Sequence, residues 1–131
     1  MKRQQIITVL FVSYCLFIIW LTIISREPAL YRTVKLELLW SYRAWLAGES
    51  YGKAESIQNM CNILLFIPFG VLFPCKSKGL WFCVLSGAIL SLSIEVIQYV
   101  LILGWCEVDD VICNAFGAAI GFGILKIIAK A

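Results

Sequence analysis

Long apolar blocks dominate this sequence: about residues 6–24, 58–74, 80–103 and 108–129 are broken by few charges or none. An α-helix rises 1.5 Å per residue, so about 20 such residues cross the roughly 30 Å hydrocarbon core of a bilayer. In lipid every backbone N–H and C=O must be satisfied within the protein, and long apolar blocks meet that demand as helices. The expected fold class is therefore all-α: a polytopic membrane bundle of about four transmembrane helices, forming one domain over residues 1–131. Composition agrees, with 62% hydrophobic and 15% charged residues and a mean hydropathy of +0.92. The formal net charge of +3 is spread between the apolar blocks, which marks the basic residues as topology determinants; the bilayer is the expected partner and nucleic acid is not.

The first block follows Lys2 and Arg3, and Ser25-Arg26-Glu27-Pro28 after it offers no small-residue cleavage site. An uncleaved anchor helix is expected over about 6–24, not a removable leader. The outer loop, about 26–57, carries Val34, Leu38, Leu39, Tyr42, Trp45 and Leu46 at helical spacing. That stripe predicts an amphipathic helix lying in the membrane interface or packing on the protein's own spans. Pro68 lies inside the second block, where it removes the bond to the Leu64 carbonyl and predicts a kinked or broken span. Gly104-Trp105-Cys106-Glu107 reads as a tight connection that folds the third and fourth blocks into an antiparallel hairpin. Lys2, Arg3, Lys76, Lys78, Lys126 and Lys130 fall on one side of this arrangement, and the positive-inside rule places both termini in the cytoplasm.

A carboxylate within an apolar span costs several kcal/mol unless it faces the bundle and finds partners, so Glu95 is the most informative single residue. Gly87, Ser91, Glu95 and Gln98 share one stripe on the third helix, and Asp110, Asn114, Gly117 and Gly121 share another on the fourth. A turn centred near Gly104 sets Gln98 level with Asp110, Glu95 within one residue of Asn114, Ser91 level with Gly117 and Gly87 level with Gly121. Asn62 enters the second span from the same side, and Pro68 leaves the Leu64 carbonyl as a further acceptor. The expected polar pocket is thus Asn62, Glu95, Gln98, Asp110 and Asn114, with Pro68, Gly70, Gly87, Ser91, Gly117 and Gly121 serving helix packing.

The run from Asn62 through Pro68 to Gly70, then Glu95-Val-Ile-Gln98, then Asp110-Val-Ile-Cys-Asn114-Ala-Phe-Gly117, resembles the VanZ family of bacterial membrane proteins. The resemblance covers about 58–122 and places Asn62, Pro68, Gly70, Glu95, Gln98, Asp110, Asn114, Gly117 and Gly121 at the family's characteristic positions. It implies a multi-pass protein of the bacterial cell membrane with a role in the envelope or in response to the glycopeptide antibiotic teicoplanin. A lipid-linked cell-wall precursor or a lipophilic glycopeptide is the implied ligand. Many relatives carry an Arg in the turn where this chain has Gly104-Trp105-Cys106.

Two other classes stay open on the residues alone. An intramembrane enzyme would use the two acids as general acid and base, but the chain has no histidine and no phosphate-cradling glycine loop, so an enzyme is not the expectation. A small transporter or channel subunit would use Glu95 as a proton or ion relay, and one chain this short would need to oligomerise. No cofactor is expected. No metal is expected either, because Cys15, Cys61, Cys75, Cys83 and Cys113 lie in or beside apolar stretches and no Cys-x-x-Cys pair occurs. Cys61 and Cys106 sit near the same face, where a disulfide is conceivable.

Overall fold

The computed structural model describes residues 2–74 and 79–130. Lys76 and Lys78, used above for orientation, and Cys75 lie outside the described residues. The first helix α1 spans Arg3–Ile19 and runs on through a π-helical turn, Trp20–Ile24. Strand β1 (Thr33–Lys35), helix α2 (Trp40–Leu46), helix α3 (Ser50–Val71), helix α4 (Gly79–Leu101), strand β2 (Trp105–Glu107) and helix α5 (Val108–Ile128) follow.

Three of these helices are long and apolar enough to cross a membrane: Arg3–Ile24, Gly79–Leu101 and Val108–Ile128. Their outward residues suit lipid, with Leu16, Ile24, Trp81, Leu85, Ile89, Phe116 and Ile127 exposed. The expected second span, α3, is not among these three: it has 22 residues but carries Lys53, Glu55, Gln58, Asn59 and Asn62 in its first two-thirds. It is the central packing element, held along α5 by backbone-to-backbone contact. At Gly70, Gly117 and Gly121 a Cβ would collide with the Ala118, Ile63 and Ile67 carbonyl oxygens respectively. Small residues let helices approach this closely in lipid, where dispersion and weak Cα–H contacts replace the hydrophobic effect.

The fold is mostly helical, and a two-stranded parallel sheet is its departure from an all-α bundle. Thr33, Val34 and Lys35 pair with Trp105, Cys106 and Glu107. Val34 is therefore a strand residue, and the predicted loop helix shrinks to the seven residues of α2. Leu38, Leu39, Trp45 and Leu46 stay exposed, while α2 packs on α3 through Trp40 and Ser41, with Gly52 abutting the backbone of Ala44 and Trp45. Arg32 donates to the Tyr99 and Val100 carbonyls (3.2 and 3.3 Å), capping the negative end of α4.

The α4–α5 hairpin forms, but in a different register. Glu95 stands opposite Asp110, Ser91 opposite Asn114 and Gly87 opposite Ala118, each about three residues from the tight-turn expectation. The cause is β2. An extended residue advances about 3.3 Å and a helical one about 1.5 Å, so three extended residues add roughly 5 Å of travel, close to one helical turn. Gly117 and Gly121 consequently serve α3 and not Gly87, which meets the Ala118 methyl and the Phe69 and Phe66 rings.

Pro68 does not break its helix; it sits in the last turn of α3. Leu64 is exposed, and the Tyr14 hydroxyl donates to the neighbouring Leu65 carbonyl (2.7 Å). The end of the bundle near Pro74 is an aromatic core: Phe73 contacts Phe11, Phe69, Phe82 and Phe122 with ring centroids 5.7 to 6.2 Å apart. Each such pair adds about 0.5–1.5 kcal/mol beyond area burial. Cys15, Cys61, Cys83, Cys106 and Cys113 are free thiols, so no Cys61–Cys106 disulfide forms.

Candidate functional site

The opposite end of the bundle is polar, and the sheet roofs it. Glu95 (3% exposed) accepts the Glu107 backbone N–H through Oε2 at 2.9 Å. Its carboxyl lies within hydrogen-bonding reach of the Asp110 carboxyl, and Asp110 in turn meets the Asn62 side chain. Toward the core, the Asn114 amide donates to Ser91 Oγ at 2.7 Å. The structure thus brings Asn62, Glu95, Asp110, Asn114 and Ser91 together.

Gln98 goes elsewhere. Its amide donates to the Thr22 carbonyl (2.8 Å), inside the π-helical turn, and so ties α1 to α4. Asn59, on the same helix as Asn62, donates to Ser41 Oγ (3.1 Å) and docks α2.

Two further acids hold the loop of residues 26–57 to this cluster. Glu107 Oε2 accepts the Trp40 indole N–H (2.9 Å), and Asp109 Oδ1 accepts the Leu39 N–H (2.9 Å). Leu39 opens α2 in the left-handed region at φ 55°, a conformation costing a non-glycine residue about 1–2 kcal/mol, and the Asp109 bond offsets that strain. Asp109 and Asp110 lie in the first turn of α5 and Lys126 in its last, which complements the helix dipole. Burial pushes the Glu107 carboxyl up to about 7, against the opposing pull of the Trp40 N–H.

Reading the residues alone did not single out Glu107, Asp109, Trp40, Ser41, Glu55 or Arg26. One signal was present: Glu107, Asp109 and Asp110 are three acids within four residues at the head of an apolar helix. Glu55 on α3 and Arg26 after α1 complete the electrostatic surroundings, since Asp110 acts on Glu55 and Arg26 acts on Glu55, Glu95 and Asp110. Among the described residues none of these acids makes an ion pair within 4 Å, and no group of three or more is disposed to hold a metal ion.

Two cavities reach the cluster. One of about 200 Å³ is polar, lined by Arg26, Glu55, Gln58, Gly104, Trp105 and Glu107. The other, of about 170 Å³, is apolar over its whole surface, lined by Leu36, Leu92, Cys106, Val108 and Val111 and by apolar atoms of Glu95 and Glu107. Glu107 belongs to both. The cluster is rich in acceptors: Asp110 Oδ1, Asp109 Oδ2 and Asn114 Oδ1 are buried with no hydrogen-bond partner among the described residues.

A family model described as VanZ/LLP1 matches residues 11–129, which takes in the second half of α1, the loop of residues 26–57 and the whole polar cluster. The chain belongs to the VanZ/LLP1 family. It is similar to Protein VanZ of Enterococcus faecium, 36% identical over 62 residues that cover 46% of this chain. The matched stretch spans 38% of that protein's length. No solved structure matches the chain. Three apolar helices of membrane-crossing length fit a membrane protein of the VanZ type.

Proposed function

We propose that this VanZ-family chain is a non-enzymatic factor of the bacterial cytoplasmic membrane. In this reading the pocket around Glu95 and Asp110 opens to the outer leaflet and engages a lipid-linked or lipophilic ligand, lowering the action of a glycopeptide such as teicoplanin. The observation that carries it is the meeting of two buried carboxyls, Glu95 and Asp110, at the polar end of an otherwise apolar bundle. Intramembrane carboxylates are expensive, and they most often mark ligand, proton or ion sites.

Charge and contact support one orientation. Gln4 donates to the Pro74 carbonyl, so the start of α1, the end of α3 and the end of α5 share a side with Lys2, Arg3, Lys126 and Lys130. On the opposite side Arg32 caps α4, Arg43 pairs with Glu37 at 2.8 Å and Lys35 lies over the Trp40 and Trp105 rings, so these charges are engaged within the fold. Both termini are then cytoplasmic, α3 serves as the fourth crossing, and α2 lies along the outer interface with Leu38, Trp45 and Leu46 toward the headgroups.

The test is a susceptibility panel in a deletion strain complemented with Glu95→Gln and Asp110→Asn variants at parental membrane levels. Reduced protection by both is the expected outcome. Protection equal to that of the parent protein ends this reading, and a C-terminal reporter active only outside the cell ends the orientation.

A further inference from the structure

A cavity of about 580 Å³, larger than either of those at the acid cluster, opens between β1, α2, the start of α3 and β2. Small-molecule sites run from about 300 to 1,000 Å³. Trp40 is the one buried side chain of its lining. The Trp40 indole N–H is held by Glu107, which does not line this cavity, so the ring meets the cleft without a free donor. Tyr51 and Trp105 flank it, with ring centroids 6.3 and 5.5 Å from that of Trp40. Tyr51 is 54% exposed and Trp105 half-buried, so aromatic surface is left for an occupant.

Charge lines the same space and cancels. Lys35 Nζ lies 4.8 Å from the centre of the Trp40 ring and 5.4 Å from that of Trp105, and among the described residues it makes no ion pair within 4 Å. Arg43 is paired with Glu37 at 2.8 Å, and Glu49 is the remaining acid. Two cations and two carboxylates leave no net charge, so an anion drawn to Lys35 also faces Glu49, and a cation drawn to Glu49 also faces Lys35. A wholly apolar guest would strip water from all four charges, and a small zwitterion would leave the three rings uncovered. The chemistry that fits is uncharged, with an apolar face for the rings and a rim of groups that both donate and accept.

A pyranose has that form: its ring C–H groups make an apolar face, and the hydroxyls around its edge are donors and acceptors at once. We propose that the cleft over Trp40 binds a pyranose sugar, its C–H face on Tyr51 and Trp105, its hydroxyls accepting from Lys35 and Arg43 and donating to Glu49. The site shares no acid with the Glu95–Asp110 pocket and does not rest on the pocket reading. The sugar headgroup of a membrane glycolipid and a soluble glycan share this chemistry.

The full chain in phosphatidylcholine nanodiscs, free of sugar-headed detergent, tests it by titration with cellotriose and with triacetylchitotriose. Sorbitol supplies hydroxyls without a ring face, glycerol phosphate an anion and phosphoethanolamine a zwitterion. The expected result is at least tenfold tighter binding of one of the two sugars than of any control, read by tryptophan fluorescence and by saturation-transfer NMR that is strongest at the ring C–H protons. Tyr51→Ala should weaken that binding at least fivefold, and Tyr51→Phe, which keeps the ring, should hold it within twofold. Ala47→Leu supplies a second variant: it fills the cleft from an exposed position, keeps every charge and ring, and should weaken binding at least fivefold.

Binding of both sugars no tighter than sorbitol overturns the proposal. Tighter binding of glycerol phosphate or phosphoethanolamine overturns it too, because the cleft is then a site for charged groups. Parental sugar binding by folded Tyr51→Ala or Ala47→Leu protein does the same. Repeating the titration with a glucosyl diacylglycerol in the disc separates the sources. Competition identifies a glycolipid headgroup, and unchanged affinity identifies a soluble glycan.

Discussion

Gly121 offers the sharpest test of how α3 and α5 are held. A Cβ there would overlap the Ile67 carbonyl oxygen and lie 2.9 Å from both Gly70 Cα and Ile67 C. Ordinary carbon–carbon contact is about 3.5–4.0 Å, so Gly121→Ala requires the two backbones to part by roughly 1 Å. A gap of that size forfeits up to about half of each dispersion well along the seam, and overpacking of this kind costs about 1–3 kcal/mol. The blocking atoms are backbone and cannot swing aside, which places the steric cost at the upper end. Alanine's better helix propensity returns up to about 1 kcal/mol, leaving a net loss of about 2 kcal/mol.

Gly123, two residues on, is the internal control. Nothing lies within 4 Å of its Cβ position, so Gly123→Ala should gain up to about 1 kcal/mol from propensity alone. The two variants should therefore differ by about 3 kcal/mol in reversible unfolding from mixed micelles, followed by circular dichroism. Adding Gly117→Ala to Gly121→Ala should cost less than the sum of the two, because one displacement relieves both clashes. A Gly121→Ala protein as stable as Gly123→Ala would refute close backbone packing as the origin of the seam.

Asp109→Ala should free the Leu39 N–H and destabilise α2 by about 1–3 kcal/mol, seen as faster hydrogen exchange over residues 36–46; Asp109→Asn keeps an acceptor and should exchange more slowly than the alanine variant. Glu107 titrates near 7 in the fold against an ordinary value of 4.5, so the folded state prefers the neutral form. Stability should then be fully present below about 4.5, fall as pH rises to about 7 by on the order of 2 kcal/mol, and level off above; Glu107→Gln should remove that part of the slope in pH-dependent melting. Gln98→Leu removes the bond to Thr22 and should loosen α1 by about 1 kcal/mol, measured as weaker association of α1 with the remaining helices when the chain is expressed in two pieces.

The helices were legible because a charge-poor block of about 20 residues has few other fates in lipid, and Glu95 and Asp110 were legible because acids inside such blocks must find partners. Register was harder to read. Trp105-Cys106-Glu107 has no local mark of an extended strand, and its pairing with Thr33-Val34-Lys35 lies about seventy residues away. That strand alone moved Glu95 from Asn114 to Asp110. The glycine stripe on α5 announced a close approach but not the neighbour, and Gly117 and Gly121 turned out to face α3. Leu39 shows the same limit: its place in a helical stripe was visible, whereas the distant Asp109 that holds it in a left-handed conformation was not.

The pairing of residues 33–35 with 105–107 sets an order of events during synthesis. The first of these strands emerges long before its partner, so throughout synthesis of α3 and α4 its backbone donors and acceptors must be left to water or to transient company. Only when the chain reaches Glu107 can the roof over the acids be laid, and Asp109 then fastens Leu39 beside it. A chain halted before that point carries every apolar crossing but one and none of the closure.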